Sequence, residues 1–244
     1  MTVNEDKIEM LRKIINESNN IVFFGGAGVS TESGIKDFRG KDGLYKVKYD
    51  KPSEYYLSSR CFYSNPTEFF DFYKSNMNSL NAKPNITHLF LTELERRGKL
   101  KAIVTQNIDG LHQKAGSKNV LEIHGTIFKN HCIKCNKEYS ADYVFNSKGV
   151  PMCDCKGIIK PDVVLYGEML PIEYSTAQSY IYKADTLIVA GTSLTVEPAS
   201  GLVKIFNGKN LIIINNDKTP YDSLATLVIH DSLKNVIGKI FDKN

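Results

Sequence analysis

The stretch "IVFFGGAGVSTESGIKDFRG", Ile21 to Gly40, sets an apolar run against a glycine-rich turn. Four apolar residues without a polar break suit a strand covered on both faces, as in a parallel sheet. Three similar runs follow: "AIV" (102–104), "TLIVA" (186–190) and "LIII" (211–214). Helical patterns lie between and before them. Thr2 to Asn20 carries Ile8, Leu11 and Ile15 on one face, with Thr2 and Glu5 spaced as a capping box. Asn85 to Arg97 stops at Gly98, and Val196 to Asn207 stops at Gly208. Strands alternating with helices predict an α/β fold, a Rossmann-like doubly wound parallel sheet.

Two excursions interrupt that alternation. Residues 41–84 are rich in Tyr, Phe, Ser, Asn and Pro and contain a helical pattern, "TEFFDFYKSNM" (67–77). Residues 128–160 hold four of the five cysteines. We therefore expect residues 1–40, 85–127 and 161–244 to form the nucleotide-binding part. Residues 41–84 and 128–160 are expected to be the helical and metal-binding parts of a small inserted module.

At 244 residues, 42% apolar and 24% charged, the composition is that of an ordinary globular protein. A net charge of +4 is too small to argue for nucleic acid or an anionic membrane. The start "MTVNEDKIEM" is unlike an export signal, and no apolar run is long enough for a bilayer span, so a cytoplasmic location is expected. In a reducing compartment paired cysteines suggest metal. Cys132 and Cys135 form a CxxC; Cys153 and Cys155 follow after 17 intervening residues. That spacing suits a closed structural four-thiolate zinc site, with i and i+2 of an extended segment facing one side. Four free thiols or a redox pair are the alternatives, and His131 is a possible rival ligand. Cys61 stands alone and reads as a packed thiol.

Ligands of open α/β sheets bind outside the carboxyl ends of the strands, which makes the residues after each run informative. After Phe24 come Gly26 and Gly28, the first two positions of a dinucleotide fingerprint, but Thr31 stands at the third. The acid expected about twenty residues further on is not well placed; Asp42 is nearest. A plain strand-to-helix turn remains possible, and a standard dehydrogenase is disfavoured. The later runs are followed by "TQNIDGLH" (105–112), "GTSLTVEP" (191–198) and "NND" (215–217), all polar or glycine-rich. Four such tails converging on one crevice indicate a nucleotide site.

The ordered series "GAGVSTESGIKDFRG", "TQNIDGLHQKAG", "EIHG", the cysteine pairs, "KPDVVLYGE", "GTSL" and "INND" resembles the sirtuins, NAD-dependent protein deacylases of the Sir2 family, in their bacterial form. Lys36 replaces a proline common in that family, and the second cysteine pair is one residue short. The resemblance implies NAD as cosubstrate and one structural zinc per chain. Acyl-lysine proteins or peptides would be the substrates, and no nucleic-acid or membrane partner is expected. The acyl oxygen attacks C1′ of the nicotinamide ribose and nicotinamide leaves. An alkylimidate forms; a base then activates a ribose hydroxyl, which attacks the imidate carbon, and water completes the release of free lysine and O-acyl-ADP-ribose. Mono-ADP-ribosyl transfer at the same site is the alternative activity.

Carried over residue by residue, the resemblance makes His124 the base, with Asn107 and Asp109 holding the nicotinamide carboxamide and its ribose. Gln106 and Ile108 would contact the ribose and the nicotinamide, and Phe38 would be an apolar lid with Arg39 beside it. Gly26, Ala27, Gly28 and Thr31 would form the phosphate turn. Gly191, Thr192, Ser193, Asn215 and Asp231 would serve the pyrophosphate and adenosine end. Val163, Val164, Tyr166 and Gly167 would line the substrate strand, where an extended peptide pairs by backbone hydrogen bonds. Read without the family, "NID" is also a polar turn and "VVLYGE" also a buried strand. Sirtuins that take acidic acyl groups carry a Tyr and an Arg three residues apart; Ser75 and Asn78 stand there, which predicts acetyl or apolar acyl groups over succinyl.

Overall fold

The computed structural model describes residues 4–40, 43–46 and 49–241. Six parallel strands form the main sheet: β1 (Ile21–Gly25), β2 (Leu100–Thr105), β3 (Val120–Glu122), β7 (Thr186–Ala190), β8 (Asn210–Ile214) and β9 (Leu227–Ile229). Their order across the sheet is β3-β2-β1-β7-β8-β9. The direction of winding therefore reverses between β1 and β7, and at such a switch point a crevice opens outside the carboxyl ends.

The continuous apolar runs are explained by two cores, one on each face. Alternate residues of a strand point to opposite sides. Ile21 and Phe23 join Ile8 and Leu11 of α1 (Glu5–Glu17), Phe90 and Leu94 of α5 (Ile86–Arg96) and Val236 of α9 (Leu233–Ile240). Val22 and Phe24 join Ala177 and Ile181 of α8 (Ile172–Lys183) on the other face.

A third core unites the two excursions. The helices α2 (Ser53–Tyr56), α3 (Ser59–Ser64) and α4 (Pro66–Asn76) supply Tyr56, Phe62, Phe69, Phe70 and Tyr73 to it. An antiparallel sheet supplies Ile127, Cys132, Ile159 and Val163. Its strands are β4 (Gly125–Cys132), β5 (Glu138–Tyr139) and β6 (Ile159–Val163), in the order β5-β4-β6. The short helix α7 (Ala141–Asn146) adds Val144. Cys61 is fully buried here, the packed thiol expected.

Two helix expectations need correction. Helix α1 starts at Glu5, capped by Asn4, whose Oδ1 accepts from the Asp6 N–H at 2.9 Å; Thr2 lies outside the described residues. The segment after β7 is a 3-10 helix over Ala199–Ile205 rather than an α-helix from Val196. Pro198 precedes it, Gly201 lies inside it, and β-branched Val203 follows, all poor α-helix formers. The α5 expectation holds: the helix ends at Arg96, with Gly98 at a φ of +71° just beyond.

Candidate active site

The turns after β1 and β7 interlock across the switch point. The Gly28 N–H donates to the Gly191 carbonyl at 2.8 Å, and the Gly26 N–H to the Ala190 carbonyl at 3.3 Å. A Cβ on Gly28 would lie 2.8 Å from the Gly191 Cα, so only glycine permits this approach. After the turn the chain makes two short 3-10 segments, Ala27–Val29 and Thr31–Ser33, instead of a long helix. Ala27 is half-buried, and the Thr31 hydroxyl donates to the Gly28 carbonyl. Gln106 Nε2 donates to the Thr192 hydroxyl at 3.1 Å, tying the loops after β2 and β7. Further along the crevice edge Ser193 bonds Thr195, and Asn215 Nδ2 donates to the Asp217 carbonyl. Asp231 accepts from the Ser232 N–H and from Asn235 Nδ2, so its carboxylate is engaged at the head of α9.

Behind the turn lies a buried network that the sequence reading missed. Ser30, with no exposed surface, donates its hydroxyl to Asp109 Oδ2 at 2.6 Å and accepts from Asn107 Nδ2 at 3.0 Å. The Leu111 N–H donates to the other Asp109 oxygen at 2.9 Å. Burial pushes the Asp109 carboxyl above its usual range, against the bonds from Ser30 and Leu111. Asn107 and Asp109 thus converge on one hydroxyl supplied by another loop. A turn serine reads as an ordinary cap in a sequence, and so the signal was absent.

His124 follows β3 and is half-buried. Its Nδ1 lies 3.2 Å from the Gln106 carbonyl. A carbonyl only accepts, which assigns the proton to Nδ1 and leaves a lone pair on Nε2. Burial lowers the pKa of the imidazole, with the Gln106 bond partly opposing. His124 is therefore neutral at pH 7 and able to take a proton at Nε2. The other histidines serve elsewhere. His88 closes a capping box with Asn85, His112 is buried against it, and His230 pairs with Asp222. His131 pairs with Asp162 and is absent from the thiol cluster, which removes it as a metal ligand.

The segment from Asp37 folds toward the small module. The Tyr45 N–H donates to the Phe38 carbonyl, and the Phe38 ring packs edge-on against Tyr45 and the third core. The Arg39 guanidinium lies 4.9 Å from the Tyr45 ring centroid. Lys36 is exposed, and nothing in the structure explains its replacing a proline. Asp42, the nearest acid to the fingerprint, lies outside the described residues.

The "VVLYGE" segment crosses between the two parts of the molecule. Val163 ends β6, and the Val164 N–H donates to the His124 carbonyl at 2.9 Å. The Tyr166 N–H donates to the Leu57 carbonyl, and its own carbonyl accepts from Ser59. Its hydroxyl bonds that of Tyr45 at 2.6 Å. Gly167 turns at a φ of +93°. The Tyr166 backbone thus ties the segment to the small module at Leu57 and Ser59.

The four cysteine sulfurs lie within 4.8 Å of one another, with 3.4 Å between Cys132 and Cys155 and 3.5 Å between Cys135 and Cys153. Thiolates about 2.3 Å from a tetrahedral ion stand about 3.8 Å apart, so the cluster fits one zinc. The second pair is not extended as expected but sits in a turn closed by the Lys156 N–H, which donates to the Cys153 carbonyl at 2.8 Å; Lys156 has a φ of +63°, as Asn136 has +60° after the first pair.

An open parallel sheet with a polar crevice at its switch point, joined to a four-thiol module, defines a nucleotide-binding protein with a structural metal ribbon. Comparison with known proteins narrows this. The Sir2 family model matches residues 26–198. The "NAD-dependent protein deacetylase" of Clostridium perfringens is 54% identical over 243 residues, covering 98% of this chain and 100% of that protein. A solved complex described as "Sir2-p53 peptide-NAD+" superposes with a TM-score of 0.86 at 38% identity, covering 96% of each chain. Sir2Tm bound to a propionylated peptide also gives 0.86 at 38% identity, covering 96% of this chain and 97% of that one. This chain belongs to the Sir2 family.

Proposed function

We propose that the protein is an NAD-dependent protein-lysine deacetylase, and that His124 is its base. The carrying observation is the His124 tautomer: Nδ1 held by the Gln106 carbonyl, which leaves the lone pair on Nε2. NAD supplies a ribose carbon from which nicotinamide departs when the acyl oxygen attacks. Asn107 and Asp109 orient the carboxamide and ribose, and Gln106 and Ile108 flank them. Phe38 excludes water, with Arg39 beside it. Gly26, Ala27, Gly28 and Thr31 present the phosphate turn. Gly191, Thr192, Ser193, Asn215 and Asp231 hold the adenosine end. Val163, Val164, Tyr166 and Gly167 receive the acyl-lysine peptide. Among the described residues no helix is long and apolar enough to cross a membrane. A cytoplasmic enzyme without nucleic-acid partners completes the reading, divided as expected above except that the metal-binding part widens to Gly125–Val163, the span of its own sheet.

The test is nicotinamide release with and without an acetylated peptide, with His124→Ala as the control. Stimulation by the peptide that the variant loses supports the assignment. Covalent labelling of unmodified protein from labelled NAD, with no response to acetyl-lysine, would instead favour ADP-ribosyl transfer.

A further inference from the structure

Lys160 is a lysine with only 9% of its surface exposed, and no step of the proposed reaction uses it. Its ammonium lies beneath the segment that crosses from β6 to Glu168. It donates to the Val163 carbonyl at 3.2 Å, to the Pro161 carbonyl at 3.3 Å and to Glu168 Oε2 at 3.2 Å. The same Glu168 oxygen accepts from the Leu165 N–H at 2.9 Å. The Phe62 ring of the third core stands 6.0 Å away on the remaining side. A lysine is almost never buried unless paired, because removing its charge from water is costly. Here the charge is met by one carboxylate and two carbonyls, all within the stretch Pro161–Glu168.

What those contacts fix is specific. Val163 is where β6 ends, and the next N–H, that of Val164, bonds to the carbonyl of His124. Glu168 closes the far end of the same loop through Leu165. We infer that Lys160 and Glu168 form an ionic clamp that positions the acyl-peptide segment Val163–Gly167 against His124. They are positioning residues, acting through the backbone of that segment. The inference rests on the deacetylase reading, in which that segment receives the peptide. The alternative role, plain stabilisation of the small module, would weaken NAD and peptide binding together through loss of folded protein.

The experiment measures direct binding of a fluorescent acetyl-lysine peptide and, separately, of NAD, alongside KM and kcat for both. The variants are Lys160→Met, Lys160→Arg and Glu168→Gln. Losing a charge-assisted bond predicts a rise of about tenfold or more in peptide Kd and KM for Lys160→Met. NAD binding should change by less than about twofold, since no cofactor-side group touches the clamp. Lys160→Arg should restore peptide affinity, because a guanidinium can reach the same acceptors. Should Lys160→Met fail to fold, Glu168→Gln, which keeps the volume and an acceptor oxygen, carries the same peptide-selective prediction. Equal losses for peptide and NAD, or peptide affinity unchanged in a wild-type-like background, would overturn the clamp. A wild-type protein showing no acetyl-peptide dependence would overturn the deacetylase reading first, and that result is read independently of the variants.

Discussion

Replacing Ser30 by alanine removes one oxygen that serves two buried partners. Asp109 loses a donor at 2.6 Å and Asn107 loses an acceptor at 3.0 Å, and both residues have under a tenth of their surface exposed. A hydrogen bond to a charged group contributes about 1.5–3 kcal/mol, and a buried partner left unsatisfied costs a similar amount. At about 1.4 kcal/mol per tenfold, the expected loss in kcat/KM for NAD is about ten- to hundredfold. The pH profile gives a second, independent reading. Burial raises the Asp109 carboxyl, and the Ser30 hydroxyl is the larger of the two contacts that oppose it. Without that hydroxyl the carboxyl rises further, so the ionised form appears only at higher pH. The acid limb of kcat/KM for NAD should therefore move to higher pH in Ser30→Ala, with little change in the alkaline region. Steady-state nicotinamide release from pH 5 to 9 measures both effects. An unmoved acid limb together with an unchanged kcat/KM would refute the argument that one hydroxyl organises the pair.

Three further outcomes are expected. Burial holds His88 at about 4 and His112 at about 3, below the ordinary 6.5, so the unfolded chain binds protons there before the folded one does. Their contribution is complete above pH 6.5 and is lost as pH falls toward 4; the buried carboxyls of Asp109 and Glu122, being raised, act in the opposite sense. The urea midpoint should fall between pH 7 and 5 but hold between 8 and 7, and a midpoint flat from 7 to 5 would count against the pair. Cys135→Ser should abolish zinc binding, seen by metal analysis, and lower the melting temperature, because Cys132 and Cys153 belong to the third core. Finally, Ser75 is exposed and spends its hydroxyl on the Asp71 carbonyl, while Asn78 accepts from the Leu80 N–H. With no cation at those positions, deacetylation should exceed desuccinylation on one peptide, and equal rates would contradict this.

The apolar runs made the central strands legible. A strand buried on both faces has no alternation to hide it, and β1, β2, β7 and β8 emerge from their runs directly. The edge strands β3 and β9 are three residues each, too short for any periodicity to mark them. The four cysteines were legible too, since their spacing suited one four-thiolate site, and the sulfurs do gather within 4.8 Å of one another. Ser30 and Lys160 were invisible for a different reason. Their importance depends on partners 79 and 8 residues away respectively, and nothing local distinguishes them from a turn serine or a surface lysine.

The tripeptide Asn107-Ile108-Asp109 shows why those partners matter. Alternate residues of an extended segment face opposite ways. The amide of Asn107 and the carboxylate of Asp109 turn toward the large sheet, where Ser30 gathers them. Ile108 packs on the core of the small module, as Phe38 does. One segment is thus held from both sides at the place where the two parts of the molecule meet. The polar pair needs the intervening apolar residue for that placement. Inserting one residue would put either Ile108 against Ser30 or a polar group into the aromatic core. A polar surface turn would carry no such constraint, whereas "NID" is packed on one side and hydrogen-bonded on the other.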